Sequence, residues 1–543
     1  MGAFPLMSAA VNPSSSRLVA TGAITGAKTG PAKAGTTSSL HSAGPLFGAN
    51  APSIALPLTF IITGLLALGA GVIWLVLEPD LLATYHYNQY VIAATHLFVL
   101  GCICSIVMGA MYQLVPVALE TKLYSERLAR WQFALHLVGF VGMVWMFRVW
   151  DMKQVGHFGS VLALGVGLFV YNIARTLRRV PKWNVTATAV TAAITWISLT
   201  ILVGLSLAAA KCTYETESVV VHTGVVGALI GGLRSVAGFL AHFDPISAMH
   251  AHAHLGGVGC FTMLIVGVSY KLIPMFTLSE LQSRRRAACS VVLLNIGLAG
   301  AFVTILLRSP LKLAFALVTV SALAIYGWEL AAILRARKRR TLDWGIKYFL
   351  TAIVLLSPLS VLAVVLSWPG LPLNQFTGQL ENLYGFLGLV GGIIFAIIGM
   401  LYKIIPFLVW FGRYSREIGR VKVPSLAELY SARLQALGYW TFLAGLAVTC
   451  AAIVASNETG VRIGCGFIAL TVATLALNVV KMLTHFFKPT IKPQTQAAWS
   501  APVLGRSNSR MPGRVASFAN RLAFLRRCAR GRAHSGGTAA KSL

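Results

Sequence analysis

Long apolar stretches separated by short polar segments dominate the chain from about residue 54 to residue 486. An apolar stretch of about 18 or more residues can cross a bilayer as a helix, because lipid offers the backbone no other hydrogen-bond partner. We predict twelve such spans, at about residues 54–77, 90–118, 131–150, 159–177, 184–209, 248–276, 286–307, 311–335, 346–368, 383–410, 433–454 and 461–486. The chain is therefore predicted to be an all-α polytopic membrane protein.

Composition supports this fold class. Hydrophobic residues make up 57% of the 543 residues and charged residues only 11%, which is more apolar surface than a water-soluble core of this size needs. The two ends differ from the middle: residues 1–52 are rich in Ser, Ala, Gly and Thr, and residues 487–543 are basic. We predict a disordered N-terminal tail, a membrane domain over 53–486 and a basic C-terminal tail.

The formal net charge of +30 is concentrated in the segments that follow the even-numbered spans. Arg284, Arg285 and Arg286, for example, follow the apolar part of span 6. Short basic loops stay on the cytoplasmic side of a membrane. We therefore predict a multi-pass protein of the bacterial inner membrane with both termini in the cytoplasm. The charge is explained by topology, so we do not expect a nucleic-acid partner.

One sequence pattern occurs three times in the chain with equal spacing. It consists of His96, Gly101, Gly109, Tyr112 and Pro116 in span 2; His254, Gly259, Gly267, Tyr270 and Pro274 in span 6; and Phe386, Gly391, Gly399, Tyr402 and Pro406 in span 10. A second set, Asn172, Glu329 and Asn478, recurs near the ends of spans 4, 8 and 12. Self-similarity of this kind indicates repeat architecture. We predict three parallel four-helix repeats with quasi-threefold symmetry, over about residues 53–180, 183–340 and 343–486.

Histidines are concentrated at the predicted outer ends of spans 2 and 6. His250 and His254 are four residues apart and share a helix face, whereas His252 points roughly the opposite way. Neutral imidazole is a ligand of haem iron, copper and zinc. We predict cofactor binding by His96 and His254, and metal ligation by His250, His254, His252 and His242. The alternative is that these histidines are polar residues at the membrane interface.

The twelve spans, the three four-helix units and the histidines of spans 2 and 6 resemble subunit I of the haem-copper oxidases, especially the cbb-type oxidase and nitric oxide reductase branch. The histidine and glycine signature is also similar to NnrS-type haem-copper membrane proteins. The resemblance covers about residues 54–486. It implies haem b and copper as cofactors. It also implies that His96 is an axial ligand of a low-spin haem, and that His250 or His254 binds copper or non-haem iron.

The ligand set that the resemblance implies is incomplete. The oxidase family has a histidine pair on span 7 and two histidines on span 10, whereas span 7 here has none and span 10 has Asn382, Tyr384 and Phe386. A standard oxygen reductase is therefore not expected. We expect a redox protein or oxidoreductase that acts on a small oxidant, such as oxygen or nitric oxide, with an electron-donor subunit. The alternative is a non-enzymatic metal- or haem-handling factor, or a small-solute transporter.

Four further features have expected roles. The glycines of the repeated pattern are expected to allow tight helix packing, although they also leave room for a planar macrocycle. Glu329 is expected to pair with arginines after span 8 rather than to relay protons. Tyr112, Tyr270 and Tyr402 are expected to anchor their helices at the membrane interface. Residues 219–243 are expected to lie along the outer surface, because a thirteenth span would break the alternation of basic loops.

Overall fold

The computed structural model describes residues 52–212, 224–418 and 420–490. Twelve helices in this part of the chain are long and apolar enough to cross a membrane, which confirms the predicted all-α polytopic fold. Spans 1 to 12 are Ala55–Leu77, Gln89–Ala118, Glu126–Val149, Met152–Leu177, Val185–Lys211, Pro245–Thr277, Arg284–Leu306, Lys312–Arg335, Trp344–Leu366, Gln375–Glu417, Ala432–Val454 and Glu458–Phe487. The predicted N-terminal tail and most of the C-terminal tail lie outside the described residues.

Shorter helices lie between or beside the spans. They are Asp80–Ala83, Gly224–Leu240, and the 3-10 turns Ser415–Glu417 and Leu426–Leu429. The helix Gly224–Leu240 packs against span 5, and Leu240 is buried beside Val203 and Leu255. This helix of 17 residues is not among the twelve candidate spans. Residues 219–223 lie outside the described residues, so the expectation that 219–243 lie along the outer surface stays a prediction.

The spans pack in chain order around the domain, and span 12 packs against span 1, so the ring of helices is closed. Spans 2, 6 and 10 have corresponding neighbours, because each packs against the span before it and the span two places after it. Spans 6 and 10 also touch each other, through the segments Leu255–Thr262 and Leu387–Ile394. The same neighbours recur every four spans. This packing order supports the three-repeat arrangement, which stays a prediction.

Each of spans 2, 6 and 10 changes from an α-helix to a π-helix near its outer end, the end predicted to face away from the cytoplasm. The π-helical segments are Leu97–Cys104, Leu255–Thr262 and Leu387–Ile394. Each begins at the residue after His96, His254 or Phe386. Such segments are rare and are frequent at functional sites. The three helices therefore share a backbone feature as well as a sequence pattern, directly beside the predicted ligands.

A polar side chain on spans 4 and 12 holds the start of a neighbouring span at the inner end of the bundle. The Oδ1 atom of Asn172 accepts a hydrogen bond from the backbone N–H of Ser125 at 3.0 Å, and Asn478 accepts one from Ser431 at 2.8 Å. Ser125 and Ser431 are themselves the N-cap residues of spans 3 and 11. These repeated asparagines therefore fix the ends of paired helices on the side that is predicted to face the cytoplasm.

Glu329 makes the corresponding contact on span 8 with a charged group. Its buried carboxylate accepts hydrogen bonds from the backbone N–H groups of Gln282 at 2.7 Å and Ser283 at 2.8 Å. It also forms an ion pair with Arg286 at 2.7 Å. Glu329 does pair with an arginine, as expected. The arginine is not one of those after span 8, however, because Arg286 lies at the start of span 7.

The three repeated tyrosines belong to the protein core. Tyr112 is 0% exposed, Tyr270 4% and Tyr402 2%. Their hydroxyl groups form hydrogen bonds with Gln132, Ser290 and Asn478, respectively. Interfacial anchoring was expected for these tyrosines, and that expectation is wrong, because neighbouring helices cover them and supply the hydrogen-bond partners that a lipid headgroup would otherwise provide.

Candidate functional site

The outer halves of spans 2, 6 and 10 border a cavity of about 1610 Å³. Ligand pockets of small molecules usually have volumes of about 300–1,000 Å³, so this cavity has room for a larger group. Its lining includes five histidines: His86, His96, His250, His252 and His254. Span 10 contributes Glu381, Asn382, Tyr384 and Phe386. The predicted gathering of imidazoles from spans 2 and 6 around one cavity is therefore observed.

His96 and His254 are held in the same way. The Nδ1 atom of His96 lies 2.7 Å from the carbonyl oxygen of Ile92, and that of His254 lies 2.7 Å from the carbonyl oxygen of His250. A carbonyl oxygen only accepts, so in both rings Nδ1 donates and Nε2 keeps its lone pair. Metal-ligating histidines typically donate their other N–H in this way. Both rings are therefore in the tautomer that binds a metal through Nε2.

The two rings differ in what faces Nε2. The Nε2 atom of His254 lies 3.2 Å from the Tyr384 hydroxyl. The imidazole of His254 stacks on the phenol ring of Tyr384, with ring centroids 5.8 Å apart. Because this Nε2 atom carries no proton, the tyrosine hydroxyl is the donor. The ring of His96 instead packs against Phe147, with centroids 4.5 Å apart. Span 10 thus places a tyrosine beside His254, on the helix where the resemblance implied histidines.

His252 lies on the other side of span 6, toward span 5, as its spacing predicts. A Cβ atom added at Gly204 would come within 2.8 Å of the His252 ring, so only glycine leaves space for the imidazole there. The Nδ1 atom of His252 is buried and has no hydrogen-bond partner among the described residues. An unpaired buried polar atom is costly. His252 therefore has one ring nitrogen that a ligand could satisfy.

The glycines of span 6 serve two purposes. A Cβ atom added at Gly259 would come within 2.6 Å of the Leu298 side chain, so this repeated glycine permits close helix packing, as expected. A Cβ atom added at Gly257 would have nothing within 4 Å, and the same holds for Gly385 on span 10. Both of these residues line the cavity. The wall of the cavity is therefore open at two glycines that the repeated pattern does not include.

A second group of ligand atoms lies one helical turn further out than His254. The Nε2 atoms of His86 and His250 are 3.0 Å apart, and Oε2 of Glu381 is 3.9 Å from the same atom of His86. One ligand atom from each residue lies within 4.8 Å of the other two. His86 and Glu381 were not predicted as ligands. The run of acidic and polar residues at the start of span 10, opposite a loop histidine, was their only sequence signal.

His86 lies in the loop before span 2, and its surroundings favour the neutral ring. Burial lowers the pKa of His86 below its ordinary value, and the hydrogen bond to Asn382 opposes this shift. The imidazole is therefore uncharged near neutral pH, which is the form that binds metal ions.

His242 is not part of either group. It is exposed, and its Nδ1 atom donates to the carbonyl oxygen of Gly238 at 2.7 Å. It does not line the cavity, and the cluster of possible metal ligands found among the described residues does not contain it. The predicted ligation by His242 is therefore not supported, because the residue lies exposed in the turn after the helix Gly224–Leu240, outside the cavity lining.

Comparisons with known proteins identify the architecture. A family model for cytochrome c and quinol oxidase polypeptide I matches residues 48–150. The cryo-EM structure of a haem-copper terminal oxidase dimer matches with a TM-score of 0.56 and 11% sequence identity, over 79% of this chain and 84% of that chain. The fold is that of a haem-copper oxidase subunit I-like protein. A search of curated proteins finds no match.

The chain differs from the ligand pattern that the resemblance implied. Span 7 borders the cavity with the apolar residues Leu298, Ala301 and Ile305 and offers no imidazole there. Span 10 offers Tyr384 and Phe386 at the cavity wall. His96 and His254 nevertheless suit a haem, because their Nε2 atoms are free of protons and the adjoining wall is open at Gly257.

Proposed function

We propose that this protein is a membrane redox protein that binds haem b in the outer cavity, where His96 would hold the haem iron through Nε2. The observation that carries the proposal is the tautomer of His96. Its Nδ1 atom donates to Ile92, so an Nε2 lone pair is presented at the wall of a cavity large enough for a porphyrin. A haem bound there would supply one-electron chemistry.

His254 is the second proposed cofactor ligand, and Tyr384 controls its availability. The Tyr384 hydroxyl donates to the Nε2 atom of His254, so this hydrogen bond must break before His254 can bind a metal. His252 is the proposed alternative ligand, because its buried Nδ1 atom has no partner among the described residues. The chain thus holds His96 ready for ligation and couples His254 to a tyrosine that can hold a proton at its oxygen.

The absent histidines of spans 7 and 10 narrow the proposed chemistry. A copper site of the oxidase type requires the span 7 pair that the resemblance implies, and the corresponding wall of the cavity is apolar. We therefore favour electron transfer to a small oxidant such as nitric oxide or oxygen over complete four-electron oxygen reduction. In this proposal the protein lies in a bacterial inner membrane, its termini are cytoplasmic, and an electron-donor subunit acts at the outer face.

The test is the visible spectrum of the purified full-length protein in detergent, recorded oxidised and reduced. We expect a b-type haem difference band that is lost in His96→Ala. His157→Ala is the matched control, because His157 is exposed and contacts Gln154 on its own helix. It should retain the wild-type band. A folded, monodisperse wild-type protein with bound metal and no haem would overturn the proposal and favour a metal-handling factor.

A further inference from the structure

We infer that His86, His250 and Glu381 form a binding site for one divalent transition-metal ion at the outer rim of the cavity. The three ligands come from the loop before span 2, from span 6 and from span 10, and their ligand atoms lie within 4.8 Å of one another. No ligand comes from span 7. This inference goes beyond the proposed haem function and does not depend on it.

A chain of hydrogen bonds fixes the orientation of His86. The Nδ2 atom of Asn382 donates to the carbonyl oxygen of Thr84 at 2.5 Å and to Oε1 of Gln379 at 3.0 Å. Gln379 is held in turn, because its Nε2 atom donates to the carbonyl oxygen of Ala83 at 2.8 Å. The amide of Asn382 can therefore present only its oxygen to His86, at 3.0 Å from Nδ1.

It follows that Nδ1 of His86 donates and that Nε2 carries a lone pair directed at His250. The two Nε2 atoms are 3.0 Å apart, so without a metal the proton between them belongs to His250. A metal ion would take the place of this proton at Nε2, and His250, as a neutral ligand, would carry its proton on Nδ1 instead. The ring of His86 needs no change of tautomer, and its second nitrogen is already held as in known metal sites.

The distances fit a small cation. Two imidazole nitrogens bound to one ion at about 2.0–2.1 Å in tetrahedral geometry lie about 3.3 Å apart. The observed separations of 3.0 Å between His86 and His250 and 3.9 Å between His86 and Glu381 differ from that value by less than 1 Å. The third separation, between His250 and Glu381, is no more than 4.8 Å, so the Glu381 carboxylate would have to move toward His250 to close the site around an ion.

The donor set indicates which ions are suitable. Two imidazoles and one carboxylate suit Fe(II), Zn(II) and similar first-row ions, and leave further coordination positions open for water or a small ligand. The His86 side chain is 16% exposed and that of Glu381 is 26% exposed. An ion can therefore reach the site from the outer surface, without passing the bundle interior.

The experiment measures cobalt binding to full-length protein in detergent, after chelator treatment, by equilibrium dialysis with elemental analysis. We expect one tightly bound Co(II) that Zn(II) displaces. Asn382→Ala, which releases His86, should weaken binding about 10–100-fold. His86→Ala and the nearly isosteric Glu381→Gln should weaken it further. His242→Ala should bind cobalt like the wild type, because His242 is exposed and outside the cluster.

Wild-type affinity in both His86→Ala and Glu381→Gln would overturn the inference, and so would a wild-type protein that binds no cobalt. The haem spectrum of the same variants shows whether a failure of the metal-site inference also affects the haem proposal. Glu381→Gln should lose cobalt and keep any haem band of the wild type, because Glu381 belongs to the outer cluster and is not a proposed haem ligand. Should His86→Ala fail to fold, Glu381→Gln still decides the question, since it preserves the shape of the side chain.

Discussion

In the inner halves of spans 2, 6 and 10 the tyrosine and proline of the repeated pattern are the same in all three copies, whereas the first position of the pattern, in the outer halves, differs. The inner tyrosines are all buried and bonded to neighbouring spans. The outer positions are His96, His254 and Phe386, and they adjoin a large cavity. The comparison separates two kinds of repetition. The residues kept in all three copies serve packing, and the position that has diverged between copies is the one for which we propose cofactor binding.

The inner half also shows how one structural role can be filled by different residues. Asn172 and Asn478 hold neighbouring helix starts by neutral hydrogen bonds, whereas Glu329 does so with a charge that Arg286 balances. All three side chains accept a hydrogen bond from the backbone at the start of a neighbouring span. Removing Glu329, however, also leaves the Arg286 guanidinium without its counter-charge. Differences between copies at the inner end therefore change stability, whereas those at the outer end are expected to change cofactor binding.

The largest expected effect on stability is that of Glu329→Ala. This change leaves Arg286 without its partner and frees two backbone N–H groups, so it should lower the free energy of unfolding by about 3–5 kcal/mol. Asn478→Ala is the matched variant, which removes neutral contacts worth about 1–3 kcal/mol. Thermal unfolding in detergent measures both. Equal destabilisation by the two variants would show that the charge at Glu329 has no special role.

Two glycines on span 6 provide the next test. Gly259→Ala would place a methyl group 2.6 Å from Leu298, and should lower the free energy of unfolding by about 1–3 kcal/mol. Gly257→Ala meets no atom within 4 Å, and should be neutral or stabilise by up to about 1 kcal/mol. The haem content of Gly257→Ala should fall if the haem occupies the open volume beside Gly257 at the cavity wall. The opposite order of stabilities would contradict the distinction between packed and open glycines.

The smallest effect is expected for Tyr384→Phe. It removes one hydrogen bond to His254, worth about 0.5–1.5 kcal/mol, and frees the Nε2 atom for ligation. We expect little change in thermal unfolding but a shifted haem absorption maximum. Tyr402→Phe removes a hydroxyl of the inner half and should leave the spectrum unchanged. Identical spectra for the two variants would indicate that Tyr384 does not act on the cofactor.

Much of the fold follows from the sequence because a bilayer imposes one simple rule, the length of an apolar helix. The same rule placed His96, His250 and His254 near one end of their helices. It could not reveal His86 and Glu381, because their meeting depends on how a loop and two distant spans pack. The same rule led to the wrong expectation that Tyr112, Tyr270 and Tyr402 anchor their helices at the membrane interface. The depth of a residue along its own helix does not show whether other helices cover it.

The most direct test of the account compares haem content in variants of the outer and inner halves of the same helix, span 2. The measurement is the reduced-minus-oxidised spectrum per mole of purified protein for the wild type, His96→Ala and Tyr112→Phe. The account predicts a b-type haem band in the wild type and in Tyr112→Phe, and its loss in His96→Ala. A His96→Ala protein that retains the wild-type band would contradict the claim that the diverged outer position holds the cofactor.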